Sequence, residues 1–241
     1  MKRTLFLSTL LLVAGCADNR ASIEITGRAA PSDTSSCKFA PGGQNIMGPG
    51  LLDVASSSQP SYSLVVYITN NLANPAVALP AVIGQVPTVI ATSKAWSASA
   101  ARVRVNPSGY TSAFGPNPAP LAYQGENVVP LDGQAIQPGG GASTQFVEAV
   151  TGPLGAQIAG LVPANQTYRV VLGITLQGQT GDGEYLDTGE WYFPLDVCNG
   201  CLVSQVPASC PTGEVLTRSN CFAAAPSYDS QDSPPTCATA P

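Results

Sequence analysis

The sequence predicts an all-β protein: an immunoglobulin-like antiparallel β-sandwich with one short helix and a disulfide-rich, largely irregular C-terminal segment. Three observations lead there. Apolar residues recur with period two in several stretches rich in Val, Ile, Tyr and Trp, the pattern of strands with one face buried. Only one short stretch has helical spacing. Five of the seven cysteines lie between Cys198 and the C-terminus.

Taken in chain order, Ser22–Gly27 reads as a first strand. Ser61–Thr69 alternates with Tyr62, Leu64, Val66 and Ile68 on one face. Ala101–Asn106 puts Ala101, Val103 and Val105 inward and Arg102 and Arg104 outward, and Thr144–Val150 continues the pattern. The helix follows: Pro153 suits a first turn, Leu154, Ile158, Leu161 and Val162 share a face, and Pro163 ends it. It is expected to cross over between sheet strands. Thr167–Gln177 then alternates with Tyr168, Val170, Leu172, Ile174 and Leu176 inward, and Trp191, Phe193, Leu195 and Val197 share a third face. The intervening QGQTGDGE carries an Asp182-Gly183 turn signal, which makes 167–197 a hairpin. Pro194 donates no hydrogen bond, so this last strand is expected at an edge or bulged. Pro/Gly/Ser-rich loops are expected over 31–50, 106–120 and 133–143. Strand order cannot be read from patterning, and a β-barrel or jelly roll is the alternative. No fixed-period repeat or coiled coil is visible.

The N-terminus, MKRTLFLSTLLLVAGCADNR, has a basic start at Lys2 and Arg3 and an apolar run from Leu5 to Val13 too short to span a bilayer. It reads as an export signal. Val13-Ala14-Gly15-Cys16 resembles a bacterial lipobox, in which the cysteine thiol is acylated and becomes the first mature residue. The expected organisation is a signal peptide over 1–15, lipidated Cys16 and a tether over 16–21, a β-sandwich over 22–197 and a cysteine-rich segment over 198–241. Ala17, in place of aspartate, favours the outer membrane by analogy with known sorting rules. The expected location is therefore the bacterial cell envelope, lipid-anchored, at the outer membrane.

Cysteine parity agrees. An odd count in an exported protein flags one thiol with another fate. Assigning Cys16 to lipidation leaves Cys37, Cys198, Cys201, Cys210, Cys221 and Cys237, an even set for disulfides in an oxidising compartment. The five after residue 197 are odd in number, so one must pair outside the segment, and Cys37 is the available partner. Cross-links are needed there, because so short and apolar-poor a tail buries little core. Without Lys2 and Arg3, eight basic residues face fifteen acids, a formal charge of −7 that disfavours nucleic acid and anionic lipid as partners.

The chain contains no histidine, which excludes Ser-His-Asp and Cys-His triads, the common catalytic zinc ligand sets and His general-base chemistry. Cys198-x-x-Cys201 is followed by LVSQVP, with no helix signature to activate a redox thiol, and no second close pair completes a zinc knuckle. The two cysteines read as staples, each expected to pair with a different partner because so tight a ring is strained. Asp182, Glu184, Asp187 and Glu190 lack the EF-hand order and read as a solvated loop rather than a calcium site. No carboxylate pair stands out for glycoside hydrolysis. Gly139-Gly140-Gly141 is not a phosphate cradle, and Asn165-Gln166-Thr167 fits a glycosylation sequon by chance. Trp96, Tyr110, Phe114 and Tyr123 flank the 106–120 loop and either stack on a ligand or plug the sandwich edge, the second being favoured.

The lipobox, the strand YSLVVYITNNL, the block GQTGDGEYLDTGEWYFPLDVCNGCL and the cysteine-rich tail together resemble a group of cysteine-rich outer-membrane lipoproteins of myxobacterial type. The resemblance implies a surface or outer-membrane lipoprotein and carries no activity or site residue. The functional expectation is a non-catalytic envelope lipoprotein, structural, adhesive or partner-binding, held to the membrane by its lipid, without a cofactor or metal. Its partner is an unidentified envelope protein or glycan. The alternatives are a carboxylate-dependent envelope hydrolase acting on polysaccharide and a subunit of an envelope assembly.

Overall fold

The computed structural model describes residues 22–29, 39, 48–73, 94–106, 118–202, 209–212, 214–217 and 236–239. The expected signal peptide, Cys16 and its tether, Cys37, Cys221, Tyr110 and Phe114 lie outside the described residues. Two sheets face each other across one core. The smaller holds β1 (Ile23–Arg28), β3 (Tyr62–Asn70) and β7 (Gly141–Val150) in the order β1-β3-β7, all antiparallel. The larger runs β2 (Gly50–Asp53), β10 (Trp191–Cys198), β8 (Thr167–Thr180), β4 (Trp96–Val105), β6 (Gly125–Pro130). Two short strands, β5 (Ala119–Pro120) and β9 (Tyr185–Asp187), also pair with β8.

The inward faces match the alternation in the sequence. Tyr62, Leu64, Val66 and Ile68 from β3 meet Val170, Leu172, Ile174 and Leu176 from β8 and Phe193, Leu195 and Val197 from β10, all buried. The all-β sandwich is thus the fold. Its pairing departs from a purely antiparallel sheet, because β2 and β5 add to it in parallel. Helix α1 (Gly152–Ala159) carries the chain from β7 to β8, from one sheet to the other. It buries Leu154 and Ile158, but Leu161 is 47% exposed, contrary to the helical spacing. The helix has ended by Ala159, so Leu161 no longer follows its periodicity, whereas Val162 turns back into the core.

Local exceptions have local causes. A β-bulge between Ala98 and Ala100 shifts β4 by one residue, so even-numbered Trp96 and Ala98 share the inner face with odd-numbered Ala101, Val103 and Val105. Trp96 is therefore core, fully buried with its indole N–H donating to the Leu186 carbonyl at 3.0 Å. Pro194 sits within β10, between β8 and the β2 side. Its partner Val171 spends both backbone groups on Asn106, so this is a non-hydrogen-bonded pair. The missing N–H therefore points to the β2 side, where pairing starts only at Leu195.

The outer face of β3 is also apolar. Val65 and Tyr67 are buried with Ala29 and half-buried Phe39, a second cluster that one-face alternation conceals. The tail, expected to be largely irregular, contains a two-stranded antiparallel ribbon, β11 (Glu214–Thr217) and β12 (Thr236–Thr239). A Cys210–Cys237 disulfide ties this ribbon to the segment before it.

Candidate functional site

Two built features stand out among the described residues. The first is a clasp around the Cys198-Asn199-Gly200-Cys201 turn. The chain leaves β10 at Cys198 and reverses through Gly200, whose φ of +93° suits glycine. Cys198 and Cys201 are joined to each other, with their Cα atoms 5.8 Å apart, which corrects the expectation of separate partners. Ring size alone disfavours so tight a bridge, but the residues around the turn hold its geometry. Asp53, at the end of β2, is fully buried. Its carboxylate accepts the N–H groups of Gly200 at 2.7 Å, Leu202 at 2.6 Å and Ala55 at 2.9 Å. Asn199 donates its side-chain amide to the Val162 carbonyl at 2.8 Å, and the Asn165 and Asn199 backbones bond across. The turn is thus held from two sides as well as by the disulfide.

Asp53 and the sulfurs of Cys198 and Cys201 lie within 4.8 Å of one another, the arrangement a metal ion would need. The sulfurs are bonded together and the carboxylate is engaged by three amides, so the donor set as it stands does not offer two thiolates.

The second feature is a polar cleft of about 250 Å³ on the outer face of the larger sheet, lined by Arg102, Arg104, Glu126, Thr175, Asp187, Thr188 and Glu190. Strand register builds it. Tyr192, Gly173, Arg104 and Glu126 form one row across β10, β8, β4 and β6, and Thr175, Arg102 and Val128 form the next across β8, β4 and β6. Asp187 stands on β9 opposite Gln177. The return strand breaks at Thr188–Glu190, where Thr188 is fixed to β8: its N–H donates to the Leu176 carbonyl and its hydroxyl accepts the Leu176 N–H, both at 2.9 Å. That break opens the cleft, and Thr175, 5% exposed, forms its floor.

One side of the cleft is locked. The Arg104 guanidinium donates through Nε to Glu190 Oε1 at 2.7 Å and through Nη2 to Oε2, and the Tyr192 hydroxyl donates to Oε2 at 2.7 Å. Burial pushes the Glu190 carboxyl up, but Arg104 and Tyr192 outweigh it and hold the group below its ordinary value. The other side is open. Arg102, half-buried, has no hydrogen bond or ion pair among the described residues, and the same holds for Glu126 and Asp187.

The four acids of the 182–190 stretch do not act as one group. Lys94 Nζ lies 2.8 Å from Asp182 and 2.7 Å from Glu184. Hydrogen bonds from Lys94 and then Thr180 lower the Asp182 carboxyl. Glu190 goes to Arg104, and Asp187 alone faces the cleft without a cation of its own. Of the candidate aromatics, Trp96 belongs to the core, and half-buried Tyr123 donates its hydroxyl to Gln157 at 2.7 Å.

The two outward arginines of β4 were visible in the alternation, but nothing in the sequence marks them as neighbours of Asp187 or Glu190, which depends on strand order. Asp53 carried one faint signal, a lone acid ending the apolar GLLD. Comparison of the chain with protein-family models, with curated proteins and with solved structures finds no match in any of the three.

Proposed function

We propose that this chain is a lipid-anchored envelope protein that binds a partner without transforming it, displayed from the membrane by acylated Cys16. The anchor rests on the lipobox-like Val13-Ala14-Gly15-Cys16 and on the even set of six cysteines left once Cys16 is set aside. Ala17 and the resemblance to outer-membrane lipoproteins support placement at that membrane. Cys16→Ala is expected to block processing and release the protein from membranes; unchanged processing and membrane association refute the anchor.

The observation that carries the binding reading is the cleft itself. It is built on sheet strands, which position side chains more firmly than loops do, and it holds charges of both signs that make no hydrogen bond or ion pair among the described residues. The second reading, a carboxylate-dependent hydrolase, is favoured by Glu126, Asp187 and Glu190 lining one cleft. Such chemistry needs one carboxyl kept protonated near neutral pH. Glu190 is shifted the other way, and the described carboxyl with a raised value, Glu148, lies on β7 of the opposite sheet. A binding screen of glycans and small charged molecules, with a hydrolysis assay, on the full chain decides. Binding without turnover is expected; turnover lost in Glu126→Gln or Asp187→Asn makes the protein an enzyme.

A further inference from the structure

The charges of the cleft restrict what it can hold. Two arginines face three carboxylates, a formal excess of one negative charge, so a purely anionic ligand meets net repulsion. Arg104 and Glu190 satisfy each other, and Tyr192 completes their bond. Among the described residues, the groups left without a hydrogen bond or ion pair are one guanidinium, Arg102, and two carboxylates, Glu126 and Asp187. Arg102 and Asp187 stand on β4 and β9, on either side of β8, about two strand spacings or roughly 10 Å apart along the sheet. No ion pair joins them, and a small molecule lying over Thr175 would reach both. Its cost of entry is low, since these groups are already half out of water on a rigid sheet.

Resting on the binding reading, we propose that this cleft takes a small zwitterion, an α-amino acid or dipeptide, with its carboxylate on Arg102 and its ammonium on Asp187. Glu126, on β6, borders the Arg102 end, across β4 from Thr175. Thr175 and Thr188 supply hydroxyls at the floor and wall. The volume suits this class: about 250 Å³ lies just under the range of sites for drug-sized ligands. A neutral sugar would give Arg102 no charged hydrogen-bond partner, leaving it only the distant field of Glu190. A uronic acid would satisfy Arg102 but leave Asp187 and Glu126 facing an anion.

The test titrates the full lipoprotein, in detergent micelles, with alanine, alanyl-alanine, N-acetyl-alanyl-alanine, alanyl-alanine amide, glucuronate and cellobiose, following backbone amide shifts. Alanyl-alanine or alanine is expected to saturate shifts confined to β4, β8 and β9, and the preferred one of the two fixes the size. Blocking either end weakens binding about ten-fold, the loss of one charge-assisted contact. Arg102→Gln removes the penalty of the amide, and Asp187→Asn removes the penalty of N-acetylation, which assigns each end. The blocked ligands need no variant, so a misfolded variant does not decide the outcome. Saturable binding of glucuronate or cellobiose with no binding of either amino compound overturns the zwitterion and leaves the binding reading standing. Equal affinity for free and blocked dipeptides overturns the assignment to Arg102 and Asp187. Silence from every ligand, with the fold intact, overturns both the zwitterion and the cleft as a small-molecule site.

Discussion

Removing the Asp53 carboxylate is expected to be among the most damaging single changes outside the apolar core. Three amides converge on it, and the side chain is fully buried. A hydrogen bond to a charged acceptor contributes about 1.5–3 kcal/mol, and a buried donor left without a partner costs about as much. The Ala55 amide is local and near water, so the Gly200 and Leu202 amides dominate the loss. Asp53→Ala should therefore cost roughly 3–5 kcal/mol, and Asp53→Asn, nearly isosteric with one acceptor kept, about half of that. Urea unfolding of the oxidised protein at neutral pH reads this directly. With a slope near 2 kcal/mol per molar, the alanine variant should unfold about 2 M earlier with the slope unchanged. If both variants stay within about 1 kcal/mol of the parent, the clasp does not mould the turn, and the disulfide alone accounts for its shape.

Other outcomes follow from single residues. Burial raises the Glu148 carboxyl, so the folded state holds that proton more tightly, and the charged form costs stability above its titration. Glu148→Gln should be more stable than the parent at pH 7, with the advantage vanishing as pH falls through the folded-state titration; a loss at pH 7 contradicts the burial argument. Glu190 has the opposite sign: its folded-state value is lowered, so its contribution is present above the ordinary carboxylate range and is lost as pH falls through the folded value. Glu190→Gln should cost under about 1 kcal/mol at pH 7, because the pair is partly exposed, and nothing in strong acid. In α1, a Cβ at Gly155 would lie 1.7 Å from the Pro60 carbonyl oxygen, so Gly155→Ala should cost about 1–3 kcal/mol in thermal or urea unfolding. Gly160 has φ −65° and only ordinary contacts, so Gly160→Ala should be neutral or gain up to about 1 kcal/mol; equal losses at both would show that the helix seat is not what distinguishes them.

The strands that alternate cleanly were legible because a core packed on one face writes itself into every second residue. β10 is such a strand; β3 and β8 show the same alternation of inward residues, although both are buried on both faces over most of their length, and the Asp182-Gly183 turn between β8 and β10 has Gly183 at φ +93°. β2 and β6 were not legible, for different reasons. GLLD is too short to show a period, and GENVVP lies at a sheet edge with alternate residues exposed, Val128 among them. Trp96 shares the inner face with Ala101 only through a bulge, which changes phase without changing composition. The clasp and the cleft depend on long-range partners: Asp53 with Gly200, and Arg104 with Glu190. Local pattern carries no trace of such pairs, because they are set by which strands become neighbours. Cysteine parity was different, since counting needs no geometry. With Cys198 joined to Cys201 and Cys210 to Cys237, the proposed acylation of Cys16 would leave Cys37 and Cys221 as the pair for a third disulfide.

The most direct test is intact-mass and peptide mapping of the mature protein extracted from its own membrane without reduction. The account predicts a chain that begins at Cys16 with a diacylglycerol thioether, no free thiol, and a third cross-link between Cys37 and Cys221. A mature N-terminus elsewhere, an unmodified Cys16, or Cys37 bridged to Cys198 or Cys201 would contradict it.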